Sequence, residues 1–99
     1  MKKLQEILDQ AIHLFDNGED SKAIELNKEI ISKKNDWSAP HYNLGLIYKY
    51  QLNWELSFKH NFKALELEPE NEATQWNLGI AATMLKEWKI ARRCWNNLG

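Results

Sequence analysis

HYNLGLIYKYQLNW, residues 41–54, and QWNLGIAATMLKEW, residues 75–88, carry one pattern set 34 residues apart. Asn, Leu and Gly recur in the same order, and a Trp follows nine residues after each Gly. Both stretches have the apolar spacing of helices. A glycine inside a helix costs about 1 kcal/mol relative to alanine. A cost taken twice at one register calls for a packing reason.

The same shift carries backwards. Small residues fall at Ala11, Gly45 and Gly79, and again at Ala23, Ser57 and Ala91. Apolar residues fall at Ile30, Ala64 and Leu98. Three registers kept over three units mark an internal repeat.

Within each unit the pattern predicts helix, turn, helix. Leu4, Ile7, Leu8, Ala11, Ile12, Leu14 and Phe15 follow helical spacing. Asp16-Asn17-Gly18 breaks that helix, with Gly18 suited to a left-handed cap. Asp20 or Ser21 is expected to cap the second helix. A turn over 33–37 follows, and Pro40 sits in the first turn of the third helix, which runs to about Tyr50. The fourth spans roughly Trp54 to Leu67 and is stopped by Pro69. The fifth runs from about Glu72 to Met84 and the sixth from about Glu87 to Asn97. No segment reads as a strand. The expected architecture is all-α, a single domain over 1–99 with units of about 4–37, 38–71 and 72–99, the last incomplete.

Composition narrows the function classes. Thirteen basic residues against fourteen acidic ones give a net charge of −1, unlike the basic excess of a nucleic-acid binder. The single Cys94 has no internal disulfide partner, which suits a reducing compartment. Gln5, Glu6 and Asp9 interrupt the N-terminal stretch, so it does not read as a secretory signal. No apolar run approaches the length of a membrane span. The expectation is a soluble cytoplasmic protein with no membrane, nucleic-acid, metal or cofactor partner.

Single residues offer little chemistry. His13, His41 and His60 lie in different helices without a metal-ligand spacing, and read as surface or packing residues. Cys94 reads as a small residue in a helix interface. Glu66, Glu68, Glu70 and Glu72 surround a helix end and a turn, and read as a solvated surface. The run KEWKIARRCW, residues 86–95, interleaves bases with aromatics, a pattern that can bind nucleic acid. A solvated convex face with core aromatics is the better reading. No enzyme is expected.

The repeat resembles the tetratricopeptide repeat, whose signature runs Trp, Leu-Gly, Tyr, Ala, aromatic and Pro over about 34 residues. Leu44-Gly45, Tyr48, Ala64 and Pro69 match in the second unit, and Leu78-Gly79, Ala91 and Trp95 in the third. The chain departs at His41 and Gln75 in place of Trp, at Asn27 and Asn61 in place of the aromatic, and at Ala82 in place of Tyr. The resemblance implies three stacked units in a short right-handed solenoid. It places Gly45 against Ser57 and Gly79 against Ala91, with Trp54 and Trp88 covering the open hairpin ends.

It also implies a concave groove lined by the first helix of each unit. The groove positions include Leu8, Ile12, Phe15, Tyr42, Asn43, Lys49, Tyr50, Trp76, Asn77 and Met84, with Asp9, Leu46, Ile80 and Thr83 beside them. Asn43 and Asn77 carry amides suited to a peptide backbone, and the aromatics supply rigid contact area. Some relatives hold chaperone tails through a clamp of Lys, Arg and Asn. Here Asn43 stands at one clamp position, but Leu8 and Ala73 replace Lys and Asn77 replaces Arg. The implied function is a non-catalytic module that binds a peptide or helix in a largely apolar groove. The alternative is a structural or self-associating segment of a larger repeat protein. Ile90, Trp95 and Leu98 would then be covered by an end-to-end homodimer or by a further helix of a longer chain.

Overall fold

The computed structural model describes residues 3–99. Met1 and Lys2, the start of the stretch read against a secretory signal, lie outside the described residues. Six helices run in order: α1 (Leu4–Asp16), α2 (Asp20–Lys33), α3 (Ser38–Tyr50), α4 (Trp54–Leu67), α5 (Glu72–Met84) and α6 (Trp88–Leu98). No strand occurs among the described residues. Helices pair as α1 with α2, α3 with α4, and α5 with α6. Successive hairpins meet through α2 on α3 and α4 on α5, while α3 also touches α1 and α5. The stack is elongated, 43 × 24 × 20 Å.

Each hairpin turns through the same device. Gly18, Leu52 and Lys86, 34 residues apart, have φ of 80°, 60° and 62°. The next residue then reaches back to the helix: the Glu19 amide donates to the Leu14 carbonyl, Asn53 to Tyr48, and Glu87 to Ala82, at 2.8–2.9 Å. These are six-to-one bonds of a helix-terminating left-handed turn. Only Gly18 is a residue suited to that backbone region. Leu52 and Lys86 hold it against steric resistance.

Helix starts are less uniform. The Asn53 and Asn71 side chains cap α4 and α5, accepting from the Leu56 and Thr74 amides at 3.3 and 3.1 Å. The expected cap of α2 differs: Asp20 is its first helical residue, Glu19 precedes it, and no side chain bonds there. Asp20 still places a carboxylate at the positive end of the helix. At α3, the Ser38 hydroxyl donates to the Glu68 carboxylate and ties the start of α3 to the residue after α4.

Ile7, Leu8 and Ile30 form a buried cluster, flanked by Leu4, Leu26, Trp37 and Ala39. Leu44, Ile47, Leu78, Ala81 and Ala82 extend the core through α3 and α5. The glycines sit where helices cross, with partners other than expected. The Ser57 hydroxyl does meet Gly45, donating to its carbonyl at 2.8 Å. The side chain filling the room left by the missing Cβ is Asn61: a Cβ on Gly45 would stand 2.5 Å from its Nδ2. At Gly79 the neighbour is the Trp95 ring, 2.9 Å from where a Cβ would be, rather than Ala91. Asn61 and Trp95 are themselves 34 residues apart, so one register serves both crossings. Trp88 is a second correction. It is 52% exposed and does not close its hairpin, whereas Trp54 is half-buried.

Candidate peptide-binding face

The first helices of the hairpins, α1, α3 and α5, share one face through the contacts of α3 with both neighbours. Repeat register arranges their side chains in rows. Leu8, Tyr42 and Trp76 share one position, Phe15, Lys49 and Thr83 another, and Asp16, Tyr50 and Met84 a third.

Between α1 and α3 lies a cleft of about 150 Å³ walled by Ile12, Phe15 and Leu46, with Asn27 and Asn43 at its polar edge. The Phe15 and Tyr50 rings stand 5.9 Å apart and tilted. Lys49 places its Nζ 5.6 Å from the Tyr50 ring centroid and donates to Asn77 Oδ1 at 3.0 Å. One line of contacts thus runs from α1 through α3 to α5. On α5, Trp76 meets Trp95 edge-on at 5.2 Å, and Trp95 Nε1 donates to the Thr83 hydroxyl.

Exposure separates the expected groove residues. Ile12 (41%), Tyr50 (66%), Trp76 (53%) and Met84 (53%) are large apolar side chains left open to solvent. Phe15, Tyr42 and Lys49 are half-buried beside them. Leu8 does not join this surface; it is buried in the core against Ile7 and Ile30. The two asparagines are also less free than expected. Asn43 is half-buried and its Nδ2 points to Asn27 Oδ1 at 3.5 Å. Asn77 is buried and accepts from Lys49. Both amides tie neighbouring helices together.

The residues proposed for self-association do not form one patch. Ile90 lines a cleft between α4 and α6 with Phe62 and Leu65. Trp95 packs across α5 on Gly79, and Leu98 is half-buried near the chain end.

Sequence reasoning missed a cluster on the opposite side. His41 and His60 stack with centroids 6.1 Å apart, and Tyr48 stacks on His60 at 5.8 Å. His41 Nε2 lies 3.0 Å from the Asn35 carbonyl, which only accepts, so Nε2 carries the hydrogen. Burial lowers the pKa of His41, with Lys63 adding to the effect against the Asn35 bond. Burial, then His41, Lys59 and Lys28, lower that of His60 to about 4. The signal lay in the repeat register: Ile7 and Leu26, one unit earlier, flank the same core. Burial also raises the Cys94 thiol above its ordinary range. Among the described residues no group of three His, Cys, Asp or Glu is arranged to hold a metal ion. No helix there is long and apolar enough to cross a membrane.

No family model matches the sequence, and no curated protein matches it. Solved structures do. The second tetratricopeptide domain of Spaghetti (RPAP3), bound to the HSP90 peptide SRMEEVD, superposes with a TM-score of 0.89 at 19% identity. The match covers 97% of this chain and 89% of that one. MamA AMB-1 superposes with a TM-score of 0.87 at 21% identity, over 96% of this chain and 52% of that one. The fold is the tetratricopeptide-repeat fold. In that frame, the clamp positions hold a buried Leu8, an exposed Ala73 and a buried Asn77 already engaged by Lys49.

Proposed function

We propose that this chain is a non-catalytic interaction module that binds a peptide or helix on the face formed by α1, α3 and α5. One observation carries the reading. Ile12, Tyr50, Trp76 and Met84 are all on these three helices and all strongly exposed. Exposed apolar groups gathered on one surface mark interaction sites more often than they arise by chance. The tetratricopeptide domain of RPAP3, of like fold, is bound to a peptide. Here the clamp cations of the resemblance are missing, so apolar and aromatic contacts would supply the affinity, with Lys49 available to an acidic group. The buried, unreactive Cys94 suits a cytoplasmic setting.

Peptide-library selection tests this. Enriched peptides should lose at least tenfold in affinity with Tyr50→Ser and Trp76→Ser. They should keep it with Phe62→Ser, which removes an exposed apolar group from α4. Equal losses at Phe62 and Tyr50, or none at Tyr50 and Trp76, would reject the face.

A second reading is a segment of a longer repeat array or a homodimer through Ile90, Trp95 and Leu98. It is favoured by MamA AMB-1, where the like-folded region is 52% of the chain. Sedimentation equilibrium with wild type and Trp95→Glu separates the dimer from a monomeric binder.

A further inference from the structure

On the side away from the peptide face, α2 and α4 bound a cleft of about 450 Å³. Ile31 and Phe62 give it apolar walls, and Lys59, Lys63, His41 and His60 give it polar ones. Lys28 on α2 acts on the same site through its charge on His60. None of the three lysines makes an ion pair among the described residues, and Glu66 is the one acidic side chain lining the cleft. The chain as a whole carries −1, so this is a local positive surplus.

His41 adds a second, independent feature. It is 6% exposed, and its Nδ1 is buried without a hydrogen-bond partner. Because Nε2–H is committed to Asn35, Nδ1 of the neutral ring is an acceptor. An unsatisfied buried group of this kind is costly, and native structures rarely keep one without a reason. The equivalent cleft between α4 and α6 shows what is special here. It keeps a cation, Arg93, at the Lys59 position, but has Cys94 for His60 and Asn97 for Lys63.

We propose that the α2/α4 cleft binds a singly protonated phosphate group, free or as a monoester, with Lys59 and Lys63 on its anionic oxygens and its hydroxyl donating to His41 Nδ1. Two ammonium groups and one acceptor fit a tetrahedral oxyanion that carries a proton. A carboxylate or a sulfate at neutral pH has no proton to give, and leaves Nδ1 unsatisfied. The proton can equally reside on His41 with the phosphate doubly charged; the total bound is the same.

That proton makes binding pH-dependent. The charged and titratable groups around His41 are Lys28 on α2, Tyr48 on α3, and Lys59, His60, Lys63 and Glu66 on α4. His60, with its pKa near 4, stays neutral through the neutral range. A phosphate monoester has its second pKa near 6. Above it, each pH unit removes about nine-tenths of the protonated form, so affinity should fall about tenfold from pH 7 to pH 8.

The test is titration of the whole chain with phenyl phosphate, inorganic phosphate and sulfate, followed by histidine-ring NMR and calorimetry. Saturable shifts of His41 and His60 with either phosphate support the site, and the tighter of the two identifies the source. Lys59→Gln with Lys63→Gln should weaken binding at least tenfold. Both side chains are exposed, so the fold is expected to persist, as circular dichroism will check. Lys86→Gln with Lys89→Gln should leave binding unchanged. Absence of a saturable shift, sulfate binding as tightly as phosphate, or undiminished binding by the Lys59/Lys63 variant would overturn the proposal.

Discussion

Gly45→Ala tests the helix crossing in the middle hairpin. The added methyl would stand 2.5 Å from Asn61 Nδ2, 2.6 Å from Cγ and 2.8 Å from Oδ1. Ordinary contact begins near 3.5 Å, so the overlap is roughly 1 Å. Asn61 has no room to retreat. It is fully buried, and its Nδ2 donates to the Ser57 carbonyl at 2.9 Å. Overpacking of this kind costs about 1–3 kcal/mol. Loss of the amide bond would add about 0.5–1.5 kcal/mol. Alanine returns about 1 kcal/mol of helix propensity. The net loss should be about 1–3 kcal/mol, and each kcal/mol lowers the melting temperature of a chain this size by about 4–8 °C. Gly79→Ala meets only the Trp95 ring at 2.9 Å, and that ring is half-exposed and free to tilt. Its net cost should be about 0–1 kcal/mol. Urea unfolding followed by circular dichroism reads both. The decisive arm is Gly45→Ala with Asn61→Ala, which removes the obstacle. A coupling of at least about 1 kcal/mol is expected. A Gly45→Ala protein as stable as wild type, or a double variant that is simply additive, would refute the close-packing argument.

Three further outcomes follow from single features. Leu52→Gly and Lys86→Gly should each stabilise by about 0.5–1 kcal/mol, since both relieve a left-handed residue; Leu52 is 69% exposed and gives up no packing. Unchanged or lower melting temperatures would show that those turns store no strain. His60 is held neutral in the fold, with a pKa of about 4 against 6.5 for the free side chain. Its contribution to stability is therefore present above pH 6.5 and lost as pH falls towards 4; urea midpoints should decline over that window, and His60→Phe should decline less. A histidine-ring titration midpoint near 6.5 would contradict this. Cys94, buried with its thiol raised, should react with a thiol reagent only at the rate of unfolding, and rapid native-state labelling would show that α6 opens locally.

The repeat was legible because its cues are local. Gly18, Pro40 and Pro69 punctuate the chain, and the apolar periodicity between them gives helices that end within a residue or two of those observed. The exposed members of the peptide face, Ile12, Tyr50, Trp76 and Met84, were legible through the resemblance, which told which helix of each pair to examine. What stayed hidden depends on contacts. Leu52 and Lys86 adopt a glycine-like backbone with no residue to announce it. Asn27 and Asn61 read as intrusions at an aromatic position. Each closes its amide on its own helix, to the Ala23 and Ser57 carbonyls, and so tolerates burial. Leu8 shares a register with Tyr42 and Trp76, yet its shorter side chain turns into the core. The pairing of His41 with His60 needs two helices placed side by side, and neither residue alone signals it.

The central claim is that α1, α3 and α5 present the binding surface. Titrating a library-selected peptide into isotopically labelled protein, and mapping amide and side-chain shifts by NMR, tests it most directly. The account predicts that the largest changes fall at Ile12, Tyr50, Trp76 and Met84, with Lys49 beside them. Changes centred on Phe62, Trp88 and α6, with those four residues silent, would contradict it.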